Sequence, residues 1–120
     1  MPSRERLDDF IAVVEAGDHA GAIERYYTED ASMRENAAPP RVGRAALVAH
    51  ERGVLALMSH VDSRAVSSVV EGDRVAIHWI FELTDKFGKL RRFDELALQE
   101  WRGDRIFREG FFYDPSGPKT

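Results

Sequence analysis

The spacing of apolar positions predicts two short helices at the start of the chain. Ser3 can cap a first helix that begins at Arg4. Four apolar residues follow at positions i, i+3, i+4 and i+7 and form one helical face: Leu7, Phe10, Ile11 and Val14. Gly17 is typical of a helix end, and Asp18 can cap a second helix that runs to about Tyr27.

A third helix and a set of strands follow. Ala31–Glu35 is predicted as a short strand, and the paired prolines make residues 36–40 a loop. Arg44–His60 carries an apolar stripe with helical spacing. The period then changes to alternation, which predicts four strands: Arg64–Val70, Val75–Leu83, Leu90–Trp101 and Ile106–Tyr113. Three helices followed by four antiparallel strands predict an α+β fold with the helices on one sheet face.

Composition narrows the class of protein. The 120 residues fit one domain, and the formal net charge of −4 argues against a nucleic-acid or anionic-membrane surface. The chain has no cysteine, and its four histidines show no metal-ligand spacing; His19 is predicted to open a helix and His60 to end one. No apolar run could span a bilayer and no phosphate-binding loop is present, so we expect no cofactor. Without an apolar leader, a cytoplasmic location is the default expectation.

Four segments in a fixed order carry a resemblance to a known superfamily: AGDHAGAIERYYTEDASM, PPRVGRAAL, GDRVAIHW and WRGDRI with FFYDP. In this order and spacing they resemble the nuclear-transport-factor-2-like superfamily, and most closely its ketosteroid isomerases and SnoaL-like polyketide cyclases. The resemblance covers nearly the whole chain, so residues 1–120 are expected to form one such domain. It implies a cystatin-like cone, in which three N-terminal helices pack on a strongly curved, mostly antiparallel sheet around an apolar pocket.

The resemblance also assigns the two faces of the sheet. It implies that Phe10 and a set of strand residues line the pocket and bind the substrate: Trp79, Glu95, Ala97, Gln99, Glu109, Phe111 and Tyr113. It implies a homodimer through the outer face, formed by Ile80, Leu96, Leu98 and Phe112. Two facings stay open from the residues alone. His78 depends on the register of its hairpin, and a two-residue turn would place Glu109 outside unless a bulge intervenes.

Glu35 and His50 are the candidate catalytic residues. Glu35 matches the position of the general base of the isomerases, with glutamate in place of aspartate, and His50 matches a pocket-lining position. A carboxylate in an apolar pocket has a raised pKa and can shuttle protons. The non-functional alternatives are that Glu35 is a solvated glutamate at a strand end and that His50 is a half-exposed helix residue.

The two oxyanion donors of the isomerases are missing. Their tyrosine position is Phe10 here and their protonated aspartic acid is Ala97, and neither side chain can donate a hydrogen bond. Ordinary ketosteroid isomerase activity is therefore not expected, because such donors contribute several kcal/mol, on the order of 3 each. Glu95 and Gln99 flank Ala97 on the same face as replacement polar groups. A buried Glu95 is expected to have a hydrogen-bond partner, from Gln99, His50, Tyr113 or Trp79.

Two functions remain open. The first is an isomerase, cyclase or hydrolase that acts on an apolar ring compound with a carbonyl or epoxide group, with Glu35 as the proton-transfer base. The second is a non-catalytic ligand-binding or dimerisation module, which the missing oxyanion donors favour. In both cases the expected partners are a small apolar molecule and a second copy of the chain.

Overall fold

The computed structural model describes residues 1–114 as an α+β fold, in which three helices cover one face of a curved six-stranded sheet. The elements are α1 (Arg4–Glu15), α2 (His19–Tyr26), β1 (Tyr27–Glu35), β2 (Arg41–Val42), α3 (Arg44–Ala56), β3 (Met58–Glu71), β4 (Arg74–Asp85), β5 (Leu90–Arg102) and β6 (Arg105–Phe112). The strand order is β2-β1-β6-β5-β4-β3, and only the β1–β6 pair is parallel. The predicted fold class is confirmed.

The core lies between the helices and the inner sheet face. The predicted face of α1 is buried, as are Trp79 and Trp101 on the strands opposite. Burial of each large apolar side chain stabilises the fold by about 1.5–3 kcal/mol. Both predicted caps are present: the hydroxyl of Ser3 accepts from the amide of Arg6 at 3.0 Å, and Asp18 accepts from the amide of Gly21 at 3.0 Å.

The third helix is shorter than predicted. It ends at Ala56, and His60, expected to end the helix, lies exposed on β3 instead. The reason is the length of the neighbouring strand. β4 continues to Asp85, which pairs with Met58, so residues after the helix satisfy the backbone groups of β4. The apolar spacing over these residues suited a helix, but the long-range pairing decides their structure.

β1 is longer than predicted, since it begins at Tyr27 directly after α2. Its parallel pairing with β6 supplies partners to backbone groups that a helix end would leave open. A two-residue strand, β2, adds to its other side after the predicted proline-containing loop. This arrangement carries Tyr27 and Glu35 at opposite ends of one strand.

A β-bulge in β6 settles the facing of Glu109. The tight turn at Gly103, where φ is +64°, is followed by a shift of register that leaves Phe107 without a partner on β5. Glu109 therefore pairs with Gln99, and both side chains are buried on the inner face. An unbroken ladder would have paired Glu109 with Leu98 and turned it outward.

The outer face of the sheet carries a mixed surface. His78 faces outward, and its Nε2 lies 2.6 Å from a carboxylate oxygen of Asp94. Leu96 and Phe112 pair across neighbouring strands, and 44% and 48% of their surfaces are exposed. Ile80 on the same face is buried. Of the four residues predicted to contact a partner subunit, only Leu96 and Phe112 are therefore well exposed.

Candidate functional site

A pocket of about 320 Å³ lies between the helices and the inner sheet face. Aromatic side chains form much of its wall: Phe10, Tyr27, Trp79, Phe81, Phe93, Phe111 and Tyr113. Four carboxylates also line it: Glu35, Glu51, Glu95 and Glu109. The lining contains a single arginine, Arg41, so the field inside the described pocket is dominated by acidic groups.

The buried end of the pocket around Glu109 is its floor, and the exposed end around Glu35 is its rim.

A hydrogen-bonded network holds Glu109 at the floor. The hydroxyl of Tyr27 donates to one carboxylate oxygen, and the amide nitrogen of Gln99 donates to the other at 2.6 Å. The indole N–H of Trp101 donates to the amide oxygen of Gln99 at 3.0 Å. Glu109 is 2% exposed, and burial raises its pKa to about 7 although the two donors pull it down. Glu109 can therefore exchange a proton near neutral pH.

Among the carboxyl groups that line the pocket, that of Glu95 shows the largest rise in pKa. Burial, followed by the negative charges of Glu35, Glu109 and Glu51, raises the pKa of Glu95 to about 8. Within residues 1–114 its carboxyl makes no hydrogen bond, so the expected partnership with Gln99, His50, Tyr113 or Trp79 is wrong. The amide of Gln99 is taken by Glu109 instead. Glu95 is thus a carboxylic acid at neutral pH whose O–H is available to a molecule in the pocket.

The rim holds the two residues predicted to be catalytic. Glu35 and His50 both line the pocket and both are exposed. The hydroxyl of Tyr113 donates to Glu35 at 3.3 Å, a long contact. Burial and the neighbouring Glu35 raise the pKa of Tyr113 above its usual value. These side chains can meet both solvent and a bound molecule.

A third polar group joins two helices to the sheet. His19 on α2 contacts Ser63 on β3 through Nε2 at 2.7 Å and Glu51 on α3 through Nδ1 at 3.3 Å. The order serine, histidine, carboxylate is that of a hydrolytic triad. Ser63, however, is buried and does not line the pocket, so its hydroxyl cannot reach a bound molecule. The group therefore acts as a clamp that fixes the two helices at the pocket wall.

The structure separates the predicted site residues into two sets. The following line the pocket: Phe10, Glu35, His50, Trp79, Glu95, Glu109, Phe111 and Tyr113. Ala97 and Gln99 do not. Ala97 is fully buried between the larger Ile77 and Phe111 on the flanking strands, and Gln99 lies behind Glu109.

Sequence reasoning missed several pocket residues, and three of these are hydrogen-bonded to another polar residue of the pocket. Tyr27, His19 and Glu51 line the pocket, but none was assigned to it. The Tyr26–Tyr27 pair at the end of α2 carried a weak signal, since the apolar spacing of this helix favours an inward position for one of them, and the structure buries both. For His19 and Glu51 no local signal exists, because their shared contact joins residues 32 positions apart.

The comparisons place the chain in a family. A model of the SnoaL-like domain matches residues 7–109, so the chain belongs to the SnoaL-like domain family. No curated protein matches the sequence at a significant level. The superfamily predicted from the four segments is confirmed.

Solved structures with the same fold support this assignment. A Mesorhizobium loti protein named as a SnoaL-like polyketide cyclase is 26% identical, with a TM-score of 0.78 over 94% of this chain and 100% of its own. A Catenulispora acidiphila protein with a ketosteroid isomerase-like fold, solved with trimethylamine, is 18% identical, with a TM-score of 0.81 over 97% and 90%. TerC, co-crystallised with polyporic acid, is 16% identical, with a TM-score of 0.77 over 93% and 91%.

Residues 1–114 contain neither a metal-ion site nor a membrane-spanning helix. No group of three or more histidine, aspartate or glutamate side chains is arranged to hold a metal ion. No helix there has the length and apolar character needed to cross a membrane.

Proposed function

We propose that this SnoaL-like protein catalyses proton transfer on a small apolar ring compound that bears a carbonyl group. In this proposal Glu95 is the acid that hydrogen-bonds the carbonyl oxygen, and Glu35 is the base that removes a proton. The observation that carries the proposal is the convergence of both carboxyl groups on one aromatic-walled pocket. Similar folds that hold trimethylamine or polyporic acid support a small organic ligand.

Glu95 offers what the missing oxyanion donors would have supplied. It carries its proton at neutral pH because burial and neighbouring carboxylates disfavour its charged form. A neutral carboxylic acid can donate a strong hydrogen bond to an oxygen that gains charge in the transition state. Glu95 lies on the same strand face as Ala97, two residues away, so the polar function has shifted along β5.

Glu35 suits the role of base because it lies at the opening. It is exposed, contacts Tyr113 and is close enough to Glu95 to raise the pKa of that acid. A base at the rim can abstract a proton and return it at another carbon or release it to solvent. His50, on the same rim, would orient the substrate.

Exchange of carbon-bound protons for deuterium tests this assignment directly. A panel of enolisable cyclic ketones would be incubated with the protein in D₂O and followed by NMR. We expect Glu35→Gln, which removes the base, and Glu95→Leu, which removes the donor, each to slow the exchange by about 10²–10³. Glu100→Gln is the matched control, since Glu100 lies on β5 but pairs with Arg108 on the outer face.

The same assay separates catalysis from ligand binding alone. Full exchange activity in Glu95→Leu would rule out Glu95 as the acid. If the ketones bind but wild-type protein exchanges their protons no faster than buffer, the non-catalytic binding module is the correct function. The loss of both oxyanion donors at Phe10 and Ala97 is the feature that favours this alternative.

We also propose that the chain forms a homodimer through its outer sheet face. Leu96 and Phe112 present an exposed apolar strip there, with Ile80 and Leu98 beside it. Covering such a strip removes apolar surface from water. Sedimentation at micromolar concentration is expected to give a dimer that Leu96→Lys dissociates; a monomeric wild type would refute the proposal.

A further inference from the structure

We propose that the floor of the pocket is a hydrogen-bond acceptor site for a hydroxyl group of the ligand, with Glu109 as the acceptor. The ligands of this pocket would then be hydroxylated ring compounds. The extension from ligand to substrate rests on the proton-transfer function proposed above. The binding claim itself needs no turnover.

The direction of each hydrogen bond around Glu109 is fixed by chemistry. The indole N–H of Trp101 can only donate, so the atom of Gln99 that it contacts must be the amide oxygen. The other end of Gln99, its NH₂ group, therefore points at Glu109 and donates. This amide cannot flip without losing both contacts. The network thus presents Glu109 with donors only.

Glu109 keeps acceptor capacity beyond its two hydrogen bonds. Two carboxylate oxygens offer about four acceptor positions, and Tyr27 and Gln99 use one on each oxygen. The remaining positions belong to a side chain that lines the pocket. Hydrogen bonds to a charged carboxylate are strengthened in a site of low dielectric constant, so a donor from the ligand would be favoured there.

Glu95 on the pocket wall and Glu109 at the floor then favour different groups of a ligand. Glu95 makes no hydrogen bond within the described chain and offers an O–H donor, which suits a carbonyl oxygen. Glu109 offers an acceptor at the floor, which suits a hydroxyl. The aromatic wall between them suits a flat ring. A molecule that enters with its hydroxyl first can hydrogen-bond to both Glu109 and Glu95.

Three naphthalene derivatives test the acceptor site on the wild-type protein alone. 2-Naphthol carries a donor, naphthalene carries none, and 2-methoxynaphthalene carries an acceptor only. A hydrogen bond to a charged group contributes about 1.5–3 kcal/mol, which corresponds to roughly 10- to 150-fold in affinity. We expect calorimetry at pH 8 to show 2-naphthol binding at least about 10-fold more tightly than either analogue. Equal affinity for all three, or a preference for the methoxy compound, would overturn the proposal.

Glu109→Gln tests which residue gives the preference. The new amide places donors where the carboxylate accepted, so the advantage of 2-naphthol should fall below about threefold. Glu100→Gln on the outer face is the control and should keep the full advantage. If Glu109→Gln folds and still prefers 2-naphthol tenfold, another group is the acceptor and the proposal is wrong. If this variant does not fold, the wild-type series decides alone.

Failure of this proposal is distinguishable from failure of the proposed function. A naphthol preference without any deuterium exchange would support the acceptor site and refute the proton-transfer role. Exchange activity with no naphthol preference would support proton transfer and refute the acceptor site.

Discussion

The pocket contains two tyrosine–glutamate pairs at different depths. At the floor, Tyr27 donates to Glu109, and both side chains are buried. At the rim, Tyr113 donates to Glu35 over 3.3 Å, and Glu35 is exposed. The residue types are the same, and each pair joins β1 to the region of β6. Their surroundings differ, so comparison of the pairs isolates the effect of depth.

Depth changes what each pair can contribute. At the floor, burial raises the pKa of Glu109 to about 7 and that of Tyr27 well above its usual value. Gln99 supplies a second donor, and without it the carboxylate would keep only the hydrogen bond from Tyr27. At the rim, water can replace any lost partner. The floor therefore offers a ligand a fixed hydrogen-bonding group, whereas the rim side chains can meet both solvent and a ligand.

The largest effect is expected from Gln99→Leu, which breaks the floor network at its centre. The change leaves the Trp101 indole without an acceptor and Glu109 with one donor. Breaking a buried polar network in this way costs about 3–5 kcal/mol. Urea unfolding at pH 8 would measure the loss of unfolding free energy. A loss under 1 kcal/mol would mean that the floor is wetter and more adaptable than its burial indicates.

The frame of this site was predictable from local signals. The apolar spacing of α1, its cap at Ser3 and the alternation along β5 are local properties, and each predicted the observed element. The family resemblance then assigned the inner face, including Glu95 and Glu109. These predictions succeed because helix caps and strand alternation depend on neighbouring residues.

The polar network was not predictable in the same way. The contact between Tyr27 and Glu109 joins residues 82 positions apart, and it exists only because β1 runs parallel to β6. The bulge at Phe107 turns Glu109 inward, and no residue near Phe107 indicates an extra position in the ladder. Ala97 illustrates the opposite error: it faces inward as implied, but its larger neighbours cover it.

Substitution of tyrosine by phenylalanine at each depth compares the two tyrosine–glutamate pairs directly. Tyr27→Phe removes a donor from a buried carboxylate and should cost about 2–3 kcal/mol at pH 8. Tyr113→Phe removes a long contact to an exposed carboxylate and should change stability by less than about 0.5 kcal/mol. Urea unfolding of both variants at the same pH gives the comparison. Equal costs would show that depth does not set the value of these pairs.

A smaller effect than that of Tyr27→Phe is expected from Glu95→Gln, and its size depends on pH. Glu95 has a pKa of about 8 in the folded chain against 4.5 when unfolded, so the folded state retains a proton that the unfolded state releases. The free energy of unfolding therefore falls as pH rises from about 4.5 towards 8.

Glutamine cannot lose a proton, so Glu95→Gln should match the wild type near pH 5 and exceed its stability by pH 8.5. The full linkage of about 1.4 kcal/mol per pKa unit is reduced by partial solvent access and relaxation, which leaves an advantage of ~1–2 kcal/mol. Glu100→Gln on the outer face should show no such growth with pH. A variant whose stability stays parallel to that of the wild type from pH 5 to 8.5 would mean that Glu95 is ionised throughout. The pocket wall would then lack its neutral acid, and the base Glu35 at the rim would have no acid partner for proton transfer.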